Sequence, residues 1–99
     1  HMSHIYTQGA SIYTSYVFPN APTYEETLAQ WRILKKAVST AVVDAGGTIS
    51  HQHGVGRDHA PYLEAEKTAR GMQTLEALRE HFDPDEQLNP GVLLPSAKG

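Results

Sequence analysis

Thr23-Tyr24-Glu25-Glu26 and Gly46-Gly47 bracket the stretch that most limits what this chain can fold into. A threonine followed three residues later by glutamate has the form of a capping box, and glycine suits the position just past a helix end. Between these signals Tyr24, Leu28, Trp31, Leu34 or Lys35, Val38, Ala41 or Val42, and Ala45 recur at steps of three and four. The spacing predicts one long amphipathic helix with a single apolar stripe. Burying Trp31, Leu34, Val38 and Val42 is worth about 1.5–3 kcal/mol for each large side chain before chain entropy is subtracted. Such a helix requires a sheet to lie on.

The stretch 4–18 is rich in the β-branched and aromatic residues that supply strands, and Thr48-Ile49-Ser50 reads as a very short further strand leading into the loop beyond the helix. Ile5-Tyr6-Thr7 and residues 12–18 read as two strand segments. Gly9 between them suggests a bulge or bend rather than a tight hairpin, because Gln8-Gly9-Ala10 lacks the usual two-residue turn chemistry. In the second segment Ile12, Thr14, Tyr16 and Phe18 share one face. Tyr13 lies on the more polar face, where an ordinary strand tyrosine is the plain reading.

Beyond the helix, Gly47-Thr48-Ile49-Ser50-His51-Gln52-His53-Gly54-Val55-Gly56-Arg57-Asp58 places two imidazoles between helical segments. If residues 48–53 are extended, His51 and His53 project from one face with Gln52 opposite. Gly54 and Gly56 allow positive φ and let a flat ligand come close. The segment is either a ligand-facing corner or a solvent-exposed polar turn. Pro61 suits the first turn of a helix over residues 62–67. The helical signal resumes from Thr68, with Ala69, Met72, Leu75, Leu78 and Phe82 on one face, and Gly71 marks a kink or a close contact. Asp83-Pro84 ends it. Leu88-Asn89-Pro90-Gly91-Val92-Leu93-Leu94-Pro95 is an irregular apolar tail, and residues 96–99 are expected to fray. His4, His59 and His81 read as surface histidines.

Ninety-nine residues suffice for one small domain with a modest core, and the 39% hydrophobic content with mean hydropathy of -0.44 suggests that this core is incomplete. Net charge is -3 without blocks of like charge, which gives no basis for binding nucleic acid or an anionic membrane. The absence of cysteine excludes disulfides and thiolate metal sites and fits a cytoplasmic setting. His1-Met2 resembles a cloning remnant. Two long helices with a short ribbon make a poor independent fold, so the chain reads as part of something larger. The expected class is α+β, with N-terminal strands followed by two to three helices. Exposed strand edges and an unpaired helix face predict self-association.

The ordered set of Gly9-Ala10-Ser11-Ile12-Tyr13, the His-x-His loop with Gly54-Val55-Gly56-Arg57, Phe82-Asp83-Pro84 and Leu88-Asn89-Pro90-Gly91-Val92-Leu93-Leu94 resembles the C-terminal end of FAD-linked oxidases of the vanillyl-alcohol oxidase type. It covers nearly the whole chain, with residues 3–95 as the matching segment. The resemblance implies a fragment of a flavoenzyme cap domain. It is strongest to the alkyldihydroxyacetonephosphate synthase (alkylglycerone-phosphate synthase) branch, whose enzymes exchange an acyl for an alkyl chain.

In that branch the matching strand tyrosine is an acid/base residue and three histidines fill the loop. The resemblance thus implies catalytic roles for Tyr13, His51 and His53, flavin contacts from His53, Gly54 and Asn89, and substrate contacts from Gln52 and Arg57. FAD would be held mainly by a separate FAD-binding domain of the same protein, so this chain alone is expected to retain no flavin and to be inactive. The substrate would be a small or lipid-like molecule. Gln52 departs from the pattern, standing where the synthases carry histidine and where relatives that oxidise 2-hydroxy acids carry glutamate. An amide oxygen is a poorer ligand than a carboxylate for a zinc-like ion, so no metal site is expected. An FAD-dependent oxidase or dehydrogenase of a 2-hydroxy acid or alcohol is the alternative enzyme, and a non-catalytic binding module with a cap-like fold is the alternative outside catalysis.

Overall fold

The computed structural model describes residues 1–2 and 4–98. These form two compact units, His1–Leu34 and Lys35–Gly99. The class is α+β, as the sequence predicts, with a two-stranded antiparallel sheet followed by helices.

In the first unit β1 (His4–Tyr6) pairs with β2 (Gly9–Ser11) in the register His4↔Ser11, Ile5↔Ala10, Tyr6↔Gly9. The chain therefore turns at Thr7-Gln8, and the bend expected at Gly9 is instead a tight hairpin. Gly9 makes this possible by taking φ 151°, a value that residues with a Cβ rarely adopt. Residues 12–18, expected as the second strand, are not in a strand at all, and Val17 is 95% exposed. β-branched and aromatic residues form strands where a neighbouring strand or a packed face receives them, so their enrichment in 12–18 does not by itself make a strand.

Helix α1 (Tyr24–Asp44) begins and ends where the sequence indicates. The Glu26 amide donates to Thr23 Oγ1 at 3.2 Å, while the Thr23 amide reaches back to Glu26 Oε2 at 3.3 Å. At the other end Gly46 has φ 77°, and the amides of Gly46 and Gly47 donate to the carbonyls of Val43 and Val42, both at 2.9 Å. This pair of bonds is a Schellman motif, which satisfies carbonyls that the helix leaves open. The stripe is only partly covered: Trp31, Leu34, Val38 and Val42 are half-buried, so each gains part of the burial energy expected of it.

In the second unit a 3-10 turn at Ala60–Tyr62 carries Pro61 in its first positions and leads into α2 (Leu63–Phe82). Helix α2 is kinked at Thr68 (φ 66°, ψ 166°), where the helical pattern of the sequence also restarts. Thr68 Oγ1 accepts from the Gly71 amide at 3.4 Å. A Cβ on Gly71 would lie 3.2 Å from Lys67 Cβ, so the glycine permits the close approach that the kink creates. The apolar face expected on the second half of α2 is only partly covered: Met72 and Leu75 are half-buried, whereas Leu78 is 51% and Phe82 75% exposed. The buried apolar residues among those described are Leu63 and Leu94, at the start of α2 and in the tail. No described helix is long and apolar enough to cross a membrane.

Candidate functional site

The segment leaving the Schellman motif is not extended, so the alternation that would put His51 and His53 on one face does not hold. Two features bend it. Gln52 takes φ 67°, and Ser50 Oγ donates to the Gly54 carbonyl at 2.6 Å, which closes residues 50–54 into a tight loop. Thr48 Oγ1 lies 2.8 Å from Glu66 Oε1 and 3.2 Å from the Ser50 carbonyl, fixing the entry to this loop. His51 is half-buried, whereas Gln52 and His53 are exposed on the crown.

Gly54 (φ 75°) and Gly56 (φ 62°) follow, and a Cβ built on either would meet nothing within 4 Å. These glycines serve two needs at once, a left-handed backbone and open space in front of it. His53, Gly54, Val55, Gly56, Arg57, Asp58 and His59 line an open depression of about 380 Å³.

The apolar tail comes back to this loop. The Leu93 amide donates to the Gly56 carbonyl at 3.1 Å, and an Arg57 guanidinium nitrogen lies 2.6 Å from where a Gly91 Cβ would stand. Any side chain at position 91 would therefore displace Arg57. Asn89 (φ 48°) opens the turn that places Gly91, and its carbonyl accepts from the Val92 amide at 3.1 Å. The structure thus brings His51, Gln52, His53, Gly54, Arg57 and Asn89 into one unit of the molecule, with a direct link between the glycine loop and the tail. Tyr13 lies in the first unit, two residues past β2; its amide donates to the His1 carbonyl at 2.6 Å, and its ring meets the His1 ring edge to face at 6.4 Å.

Two features escape the sequence reading. His59, read as a surface histidine, is half-buried, and its Nε2 lies 3.0 Å from Lys35 Nζ. A lysine ammonium only donates, so Nε2 is the acceptor and α1 is tied to the end of the glycine loop. The pair is 24 residues apart in the chain, and no local pattern signals it. Residues 96–98, expected to fray, carry hydrogen bonds: Ser96 Oγ and the Ala97 amide both donate to Glu86 at 2.7 Å.

Chemically, the loop carries groups able to donate hydrogen bonds to an anion, the Arg57 guanidinium and the imidazoles of His51 and His53, beside open space at Gly54 and Gly56. Among the described residues no three His, Cys, Asp or Glu side chains gather as a metal ion would require.

Residues 1–93 match the family described as FAD linked oxidases, C-terminal domain. Among curated proteins the chain is similar to the alkyldihydroxyacetonephosphate synthase of Dictyostelium discoideum, with 33% identity over 98 residues, 99% of this chain and 16% of that protein. It is similar to the glycolate oxidase subunit GlcD of Bacillus subtilis, with 47% identity over 51 residues, 52% of this chain and 11% of the relative. The mitochondrial D-lactate dehydrogenase [cytochrome] of Arabidopsis thaliana is 31% identical over 74 residues, 75% of this chain and 13% of its own length. The chain spans less than a fifth of the length of these relatives. No solved structure matches it at a significant level. With the family matched over nearly all of its residues and the histidine loop, the glycines and the returning tail in place, the chain belongs to the C-terminal domain family of FAD linked oxidases.

Proposed function

We propose that the chain is part of the cap of an FAD-dependent enzyme, works with an FAD-binding domain of the same protein, and serves an alkyldihydroxyacetonephosphate synthase-like exchange of an acyl for an alkyl chain. The observation that carries this reading is the pair of open, positive-φ glycines at 54 and 56, set beside two imidazoles and Arg57. A flat ring can approach the backbone where no Cβ stands, as at Gly54 and Gly56. The residues present therefore fit a flavin, which His53, Gly54 and Asn89 would hold. FAD, when bound, supplies the electron exchange. Gln52 and Arg57 receive the anionic group of the substrate, His51 and His53 donate hydrogen bonds and move protons, and Tyr13 is the acid/base residue.

The synthase reading is supported by similarity over 99% of the chain. The higher identity to a glycolate oxidase subunit over half of it favours a second reading, oxidation of a 2-hydroxy acid. The full-length protein, assayed separately for alkyl exchange and for flavin reduction by glycolate, separates the two. Exchange without glycolate oxidation is the expected result, and oxidation without exchange would establish the second reading.

The 99-residue chain by itself is expected to self-associate. Ile12, Val17, Leu78, Phe82 and Leu88 are each more than half exposed. Apolar surface of this kind recruits further copies. Sedimentation that returns a monomer at high concentration would contradict this expectation.

A further inference from the structure

Glu86 is a carboxylate where the fold has little room for charge. Its side chain is 3% exposed and its backbone takes φ 52°. It accepts from Ser96 Oγ and the Ala97 amide, each at 2.7 Å, and is paired with the Arg79 guanidinium. Arg79 is itself held by Glu76, which accepts from Nε at 2.9 Å and from a terminal nitrogen at 2.7 Å. Glu86 thereby closes the neck of a loop running from residue 86 to residue 97. Asp83 braces the same neck by accepting from the amides of Gln87 and Leu88 at 2.8 and 2.9 Å, and Lys98 Nζ donates to the Asp85 carbonyl at 2.6 Å.

The far end of this loop is the tail segment that meets the glycines. It has short internal turns, Val92 to Asn89 and Leu94 to Val92, and it holds two non-glycine residues, Asn89 and Leu93, at positive φ. L-residues resist that conformation, so the segment is poorly suited to keep its shape unaided. Its ties outward are the Leu93–Gly56 hydrogen bond and the packing of Arg57 over Gly91.

We propose that Glu86 is a positioning residue for the candidate site: by closing the neck of loop 86–97 it keeps Leu93 on the Gly56 carbonyl and Gly91 under Arg57, and so sets the face formed by Gly54, Gly56 and Arg57. This rests on the reading that the face meets flavin and substrate. The hydrogen bond from Ser96, then that from Ala97, and the charge of Arg79 hold the Glu86 carboxyl below its ordinary value of 4.5 against the upward pull of burial. Glu86→Gln preserves shape but removes the charge: its amide oxygen can stay on Arg79 and Ala97 while its amide nitrogen faces the Ser96 hydroxyl, which must turn from donor to acceptor. Ser96→Ala removes one hydrogen bond and leaves the ion pair.

Amide hydrogen exchange and chemical shifts, followed by NMR on the full-length protein with this segment selectively labelled, test the proposal without substrate. In Glu86→Gln the Leu93 amide is expected to exchange roughly tenfold faster or more, with shifts at Gly54, Gly56 and Arg57, while the amides of α1 stay as they were. Ser96→Ala should produce a smaller change at the same amides, Ser96→Thr should resemble the wild type, and Ser96→Ala carries the test if Glu86→Gln fails to fold. Faster exchange confined to Ala97, with Leu93 and Gly56 unmoved, would overturn the positioning role, as would a uniform loss of protection across the unit. In the full-length protein Glu86→Gln should raise KM more than it lowers kcat. Normal turnover in His53→Ala would remove the site reading while leaving the exchange result intact, so the two failures are distinguishable.

Discussion

Tyr13→Phe in the full-length protein is expected to lower turnover by about 10²- to 10⁴-fold, the range typical of a general acid or base, with flavin content unchanged. The substitution removes one oxygen. Tyr13 is half exposed and stands past the last residue of β2, outside the strand register that runs from His4↔Ser11 to Tyr6↔Gly9. Its main-chain amide donates to the His1 carbonyl, and phenylalanine keeps that bond. The effect is expected on the chemical step, appearing in kcat more than in KM. Rapid-mixing measurement of the exchange reaction checks this. Turnover within a few-fold of wild type would make Tyr13 an ordinary surface tyrosine and leave the histidine loop as the supported site.

His53→Ala is expected to behave differently, raising KM and lowering kcat together, for a combined loss of about 10²-fold or more in kcat/KM. His53 is exposed on the crown of a loop whose shape is fixed by its neighbours, the Ser50 hydroxyl on the Gly54 carbonyl and the positive φ of Gln52. Truncation there removes a hydrogen-bond donor to substrate or flavin. The result is read from steady-state kinetics together with flavin content. A change in kcat alone would confine His53 to the chemical step and remove it from binding.

How much of this was legible in the sequence follows the range of the interactions involved. The capping box at Thr23 and Glu26, the Gly46 end of α1 and the restart of helix at Thr68 are settled by residues within five positions of one another, and all three lie where the sequence puts them. The hairpin is different. Thr7-Gln8 carries no turn signature, and what decides the turn is the freedom of Gly9 at φ 151° on the far side of it. The shared face of His51 and His53 was inferred from strand alternation, which one positive φ at Gln52 abolishes.

Least legible were the contacts between residues distant in the chain. Lys35 meets His59, and the Leu93 amide meets the Gly56 carbonyl, across separations that no periodicity records. Glu86 looks like any charged residue in a polar turn until Arg79, Ser96 and Ala97 converge on it. The ordered motifs indicated the family, whereas the way the tail is locked onto the glycine loop became visible only in the fold.

The central claim is that this loop faces the substrate of a flavoenzyme, and titration of the flavin spectrum in the full-length protein tests it most directly. Wild type and His53→Ala would each be titrated with alkyldihydroxyacetonephosphate and with glycolate, following the visible absorption band of the bound flavin. The account predicts a saturable perturbation of that band in the wild type, with affinity weakened about tenfold or more when the imidazole donor is lost. A full-length protein that carries no flavin, or one whose titration is the same with and without the His53 imidazole, would contradict it.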